Sequence, residues 1–99
     1  MQKFDVFEID RSYYVVVQAE HLLDINTVVV VPIRPLDQFP ALTRLTIDIE
    51  MKGTTWRILS HMPLTLDART LRNRRPACHL SAEEGQKVMD ALNSILWGL

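Results

Sequence analysis

Residues 45–62 read LTIDIEMKGTTWRILSHM. In the first seven, Leu45, Ile47, Ile49 and Met51 point one way, and Thr46, Asp48 and Glu50 point the other. Strict period-two alternation marks a strand buried on one face only, the pattern of antiparallel sheets. Lys52-Gly53 then supplies a turn, and TTWRILSHM resumes the strand character. The stretch is predicted to be a β-hairpin.

Outward from this hairpin the β character continues. TVVVVPI, residues 27–33, reads as a buried strand, expected to stop at Pro32 and Pro35 because proline cannot donate to a ladder. Asp24 and Asn26 signal a turn before it. YYVVVQ, residues 13–18, is rich in strand formers, with one of Tyr13 and Tyr14 expected to face inward. In KFDVFEI, Phe4, Val6 and Ile9 fall near period two, broken at Phe7. Downstream, Pro63 ends the hairpin and LTL suggests one more short strand. Residues 67–80 contain four arginines, Pro76 and no period, and read as a loop.

The chain has 99 residues, enough for a single domain with one modest core. Nearly half are apolar (47%), which excludes disorder, and a net charge of −1 gives no global attraction to nucleic acid or acidic lipid. The lone cysteine, Cys78, excludes an internal disulfide framework and suits a reducing cytosol. The start lacks the apolar core of a signal peptide, and no run approaches the ~20 apolar residues of a membrane helix. A cytoplasmic protein with no membrane contact is expected. His21, His61, His79 and Cys78 show no metal-ligand spacing, so neither a metal nor a cofactor is expected. Cys78 has no visible partner that would make it a nucleophile, and Trp56 is expected to pack among the strands.

The last element is a helix. SAEE, starting at Ser81, matches a capping box, with Ser81 as N-cap and Glu84 three residues on. Val88, Met89, Leu92, Ile95 and Leu96 follow as one apolar stripe. At 100° per residue, Leu92, Ile95 and Leu99 fall within about 40° of Val88, and Trp97 lands near 180°. Trp97 therefore shares a side with Asn93 and Asp90, away from the stripe. Two readings are open: the final turn unwinds and Trp97 folds back or lies idle, or Trp97 belongs to a contact surface. Tryptophan is enriched in binding hot spots, and Gly98 would admit a close backbone.

Leu80-Ser81, Glu84, Ala91-Leu92-Asn93 and Trp97-Gly98-Leu99 together resemble the C-terminal helix of the CcdB family, toxins of toxin–antitoxin pairs. Upstream, VQAEHLLD (17–24), VVVPI (29–33) and TIDIEMKGTTWRILSHM (46–62) resemble family segments in the same order. The resemblance implies a mostly β fold with one C-terminal helix: an SH3-like antiparallel barrel in a single domain. Strands would fill residues 3–66, a loop 67–80 and the helix 81–97. It also implies a homodimer that binds the DNA gyrase A-subunit, traps the cleaved gyrase–DNA complex without performing chemistry, and is neutralised by a CcdA-like antitoxin. Carried over by residue, the gyrase contacts are Trp97, Gly98, Leu99, Asn93, Leu96, Leu22 and Leu23. Leu96 stands where the family usually has an aromatic.

Arg69, Arg72, Arg74 and Arg75 replace a more acidic family segment. They are candidates for contacts to an antitoxin or to gyrase-held DNA, or they form a solvated loop. Sequence-specific nucleic-acid binding is not expected. Two other functions stay open. One is a non-toxic chromosomal relative that binds only an antitoxin. The other is an mRNA-cleaving toxin on the same barrel type, which would need an acid–base pair drawn from His61 or His79 with Asp67 and the arginines.

Overall fold

A computed structural model describes residues 1–98. Among the described residues seven strands and two helices form: β1 (Asp5–Ile9), β2 (Ser12–Val16), β3 (Thr27–Pro35), β4 (Thr46–Met51), β5 (Thr54–Leu59), β6 (Leu64–Asp67), α1 (Arg69–Arg72), β7 (Cys78–His79) and α2 (Ala82–Trp97). A 3-10 turn, Glu20–Leu22, lies between β2 and β3. The strands make one antiparallel sheet, ordered β4-β5-β3-β2-β1-β7, with β6 also paired to β3. The fold is mostly β, a curled half-barrel closed by the C-terminal helix.

Two-residue turns set the registers. Lys52 and Gly53 both have positive φ (52° and 77°), the geometry that matches strand twist, and they fix Met51 opposite Thr54. Asp10 and Arg11 (φ 49° and 68°) do the same between β1 and β2, without a glycine to announce the turn.

β3 runs through both prolines instead of stopping at them. Its first half pairs with β6 as far as Val30 opposite Leu64, and its second half pairs with β5 from Ile33 opposite Ile58. Pro32 falls in the gap between these two partners, where that flank of β3 has no ladder to serve. Pro35 is the final strand residue.

The sheet is covered on both faces. One cluster joins Val6, Val15, Val31, Ile33, Ile58, Val88 and Leu92, so α2 packs its stripe here. Gly85 permits that approach: a Cβ there would stand 2.7 Å from the Phe4 ring. The second cluster holds Phe7, Val16, Val28, Val30, Ala68 and Leu71 on the opposite face. Phe7 breaks the alternation of β1 because both neighbours, Val6 and Phe7, have a core to enter.

The expected loop over 67–80 is thus partly ordered structure. Asp67 ends β6, α1 sends Leu71 into the second core, and Cys78 and His79 pair with Val6 and Asp5 of β1. One helical turn and a two-residue strand are too short to show a period, so composition alone read as loop.

Candidate functional site

α2 begins as the capping box requires. Ser81 Oγ accepts from the Glu84 N–H (3.1 Å), and the Ser81 N–H donates to Glu84 Oε1 (2.8 Å). The helix holds to Trp97. Gly98 then closes it in the left-handed conformation (φ 70°, ψ 26°), its N–H donating to the Ser94 carbonyl (2.8 Å). A left-handed cap strains any residue with a Cβ, which gives Gly98 a local reason to be glycine.

The apolar stripe is only half used. Val88 and Leu92 are buried and Met89 is partly buried, but Ile95 (41% exposed) and Leu96 (68%) are not covered by the barrel as the periodicity predicts. The helix outruns the sheet beneath it. Trp97 is 72% exposed, with Asn93, also exposed, one turn below. The final turn does not unwind, and the indole does not fold back. The expected contact at Leu99 lies outside the described residues.

Clefts flank this projecting end. An apolar groove of about 310 Å³ runs between α2 and the sheet, lined by Ile95, Leu96 and Leu92 on one wall and Val17, Gln18, Val29 and Pro63 on the other. On the opposite flank lies a more polar cleft of about 590 Å³ that includes Arg44, Ile47, Lys87 and Asp90. Asn93 lines both, so it sits on the ridge between them.

The expected aliphatic pair is divided. Leu22 is exposed (43%), whereas Leu23 packs against the second core. A 3-10 turn rotates successive side chains by about 120°, so neighbours cannot share a face. Ile25, equally exposed, is an apolar residue of this loop that sequence reasoning passed over. It follows the turn signal Asp24 and belongs to no periodic segment, so no pattern marks it.

The arginines are mostly engaged within the chain. Arg69 forms an exposed ion pair with Asp67 (Nη2–Oδ2 2.7 Å). Hydrogen bonds from the Arg69 guanidinium and backbone hold the Asp67 carboxyl down at about 2. Arg72 donates to the carbonyls of Leu23 (3.4 Å) and Ile25. Arg74 donates to those of Thr70 (2.9 Å) and Glu8 (3.2 Å). Arg75 is exposed and has no hydrogen bond or ion pair among the described residues. The cluster is a set of staples more than a free basic surface.

Two of the acid–base candidates, His79 and Asp67, are bound to other partners. His79 Nδ1 lies 2.9 Å from Asp5 Oδ1 at the β1–β7 edge, while Asp67 is held by Arg69 beside α1. His61 Nδ1 is buried without a hydrogen bond among the described residues. Partial burial, and next the Glu84 charge, pushes the Cys78 thiol up, which keeps it protonated and a poor nucleophile at neutral pH. Among the described residues no three His, Cys, Asp or Glu side chains gather to hold a metal. Trp56 stacks edge-on against Tyr13 (centroids 4.9 Å apart) at the margin of the first core.

The family model described as CcdB protein matches residues 3–98. No curated protein matches by sequence. Among solved structures, the chain is similar to an endoribonuclease from a mycobacterial species, with TM-score 0.80 at 16% identity, covering 100% of this chain and 92% of that one. It is also similar to an endoribonuclease in complex with its cognate antitoxin from a mycobacterial species (TM-score 0.79, 14% identity, 100% and 96% covered). A third is a MazE–MazF structure from Deinococcus radiodurans (TM-score 0.76, 15% identity, 97% and 95% covered). At such identities the likeness concerns the fold.

Proposed function

Because the chain belongs to the CcdB family of toxin–antitoxin toxins, we propose that it binds the DNA gyrase A-subunit through the projecting end of α2. There it holds gyrase on cleaved DNA, and a cognate antitoxin neutralises it. The observation that carries this reading is the exposed indole of Trp97 on a helix that stays formed beneath it. A solvated tryptophan gains a few kcal/mol when a partner buries it. A basic gyrase side chain stacked on the ring would add about 0.5–2 kcal/mol through cation–π attraction. Asn93, on the same face, would supply a polar contact, and Leu96 and Leu22 an apolar margin.

No bond is made or broken by the toxin in this reading, so it is not an enzyme. Uncovered Ile95, beside the apolar groove, favours a homodimer in which a second copy covers this part of the stripe. Two-fold symmetry would then present two tails to a two-fold target. The cytoplasm, where gyrase works, is the implied compartment, and a role in plasmid maintenance fits the same reading.

A second reading, an mRNA-cleaving toxin, is favoured by the fold shared with the endoribonucleases. Against it stand the separate commitments of His79 and Asp67. One experiment discriminates. Purified protein is incubated with gyrase and supercoiled DNA, and in parallel with messenger RNA alone. Accumulation of gyrase-linked cleaved DNA with intact RNA supports the poison. RNA fragments without gyrase-dependent DNA breaks support the nuclease, and neither product supports a relative that serves only to bind its antitoxin.

A further inference from the structure

β2 and β3 part company after Val17, whose N–H still reaches the Val29 carbonyl (3.1 Å). The next residue, Gln18, is 9% exposed, a buried amide that must find partners or cost stability. It finds three. Its Nε2 donates to the carbonyls of Leu22 (2.7 Å) and Thr27 (3.1 Å), and its Oε1 accepts from the Val29 N–H (2.9 Å). Only one orientation of the amide satisfies two acceptors and one donor at once. The side chain thus continues the ladder where the backbones separate, and it reaches across the mouth of the 19–26 loop. The same residue lines the apolar groove opposite Ile95 and Leu96. On the far side of the loop Arg72 donates to Leu23 and Ile25, and the Ala68 N–H donates to Asn26 (2.8 Å).

We propose that Gln18 is a positioning residue for the partner-binding surface: it ties the 19–26 loop, through the Leu22 carbonyl, to the groove that Gln18 shares with the projecting end of α2. This rests on the gyrase-binding reading above. A loop of this length with one short 3-10 turn does not hold a single shape unaided, and ordering it before binding removes an entropic cost from the encounter. The amide is not a contact residue. It acts through Leu22, whose carbonyl it holds and whose side chain remains free for a partner.

Gln18→Glu keeps the acceptor for Val29 and removes both donors. Its fold is followed by circular dichroism, and hydrogen exchange is read at Leu22, Leu23 and Ile25, whose N–H groups bond within the loop. Affinity for the gyrase A-subunit is measured for Q18E, Leu22→Ala and the double variant. The expected result is an intact fold, faster exchange in the loop, about tenfold weaker binding for Q18E, and a double variant no weaker than the worse single one. Unchanged affinity with a loosened loop overturns the proposal, as does full additivity. Wild-type protein that does not bind gyrase overturns the parent reading as well. Should Q18E not fold, Arg72→Ala releases the same loop from its other side. A tenfold loss there supports the proposal and an unchanged affinity overturns it.

Discussion

Trp97 is the largest apolar side chain of α2, and its ring lies in water. Removing it should therefore cost the fold little. Trp97→Ala is expected to change unfolding stability by less than about 0.5 kcal/mol, as for other surface sites, while abolishing gyrase binding. Leu92→Ala, at the centre of the buried half of the stripe, should cost about 2–5 kcal/mol in the same denaturation experiment. Equal stability losses for the two variants would make Trp97 a packing residue. The residue scale also has an electrostatic test. Arg69 is the first cause of the low Asp67 pKa, so Arg69→Ala should return that carboxyl toward the ordinary range near 4. A depressed carboxyl contributes stability above its unfolded pKa and loses it as pH falls toward about 2. The variant should lack this dependence between about pH 4 and 2. Carbon-detected NMR titration of Asp67 reads the shift.

At the scale of elements, long periodic segments were legible in the sequence and short ones were not. The β4–β5 hairpin could be read from Leu45, Ile47, Ile49 and Met51 with Lys52-Gly53, and α2 from its capping box, because each signal repeats or has a fixed offset. α1 could not, since one turn offers only Ala68 and Leu71 as inward positions, and neighbouring arginines dominate the composition. The continuation of β3 through Pro32 depends on a change of partner strand, which no local pattern encodes. In α2 the stripe was read correctly but its cover was not. Periodicity shows which residues share a face; it does not show where the sheet beneath ends. The exposed face of Trp97 was visible on the wheel, whereas the partial burial of Leu23 against the second core followed from a 3-10 turn the sequence did not announce. The hidden element has its own test. Leu71 is fully buried in the second core, so Leu71→Ala should destabilise by about 2–5 kcal/mol in urea unfolding. A loss near zero would mean that α1 is not part of the packed structure.

The whole molecule is one curled sheet with a core on each face, from which a helix projects an uncovered apolar end. The barrel supplies rigidity, the capping box and the left-handed Gly98 hold the helix to its last turn, and Gln18, at the mouth of the 19–26 loop, lines the groove beside its projecting end. Among the described residues no helix is long and apolar enough to cross a membrane. The most direct test titrates the gyrase A-subunit with full-length protein and with a version lacking residues 97–99, both checked for intact secondary structure. The account predicts saturable binding by the full-length protein and none by the truncated one. Equal affinity of the two, or no affinity in either, would contradict it.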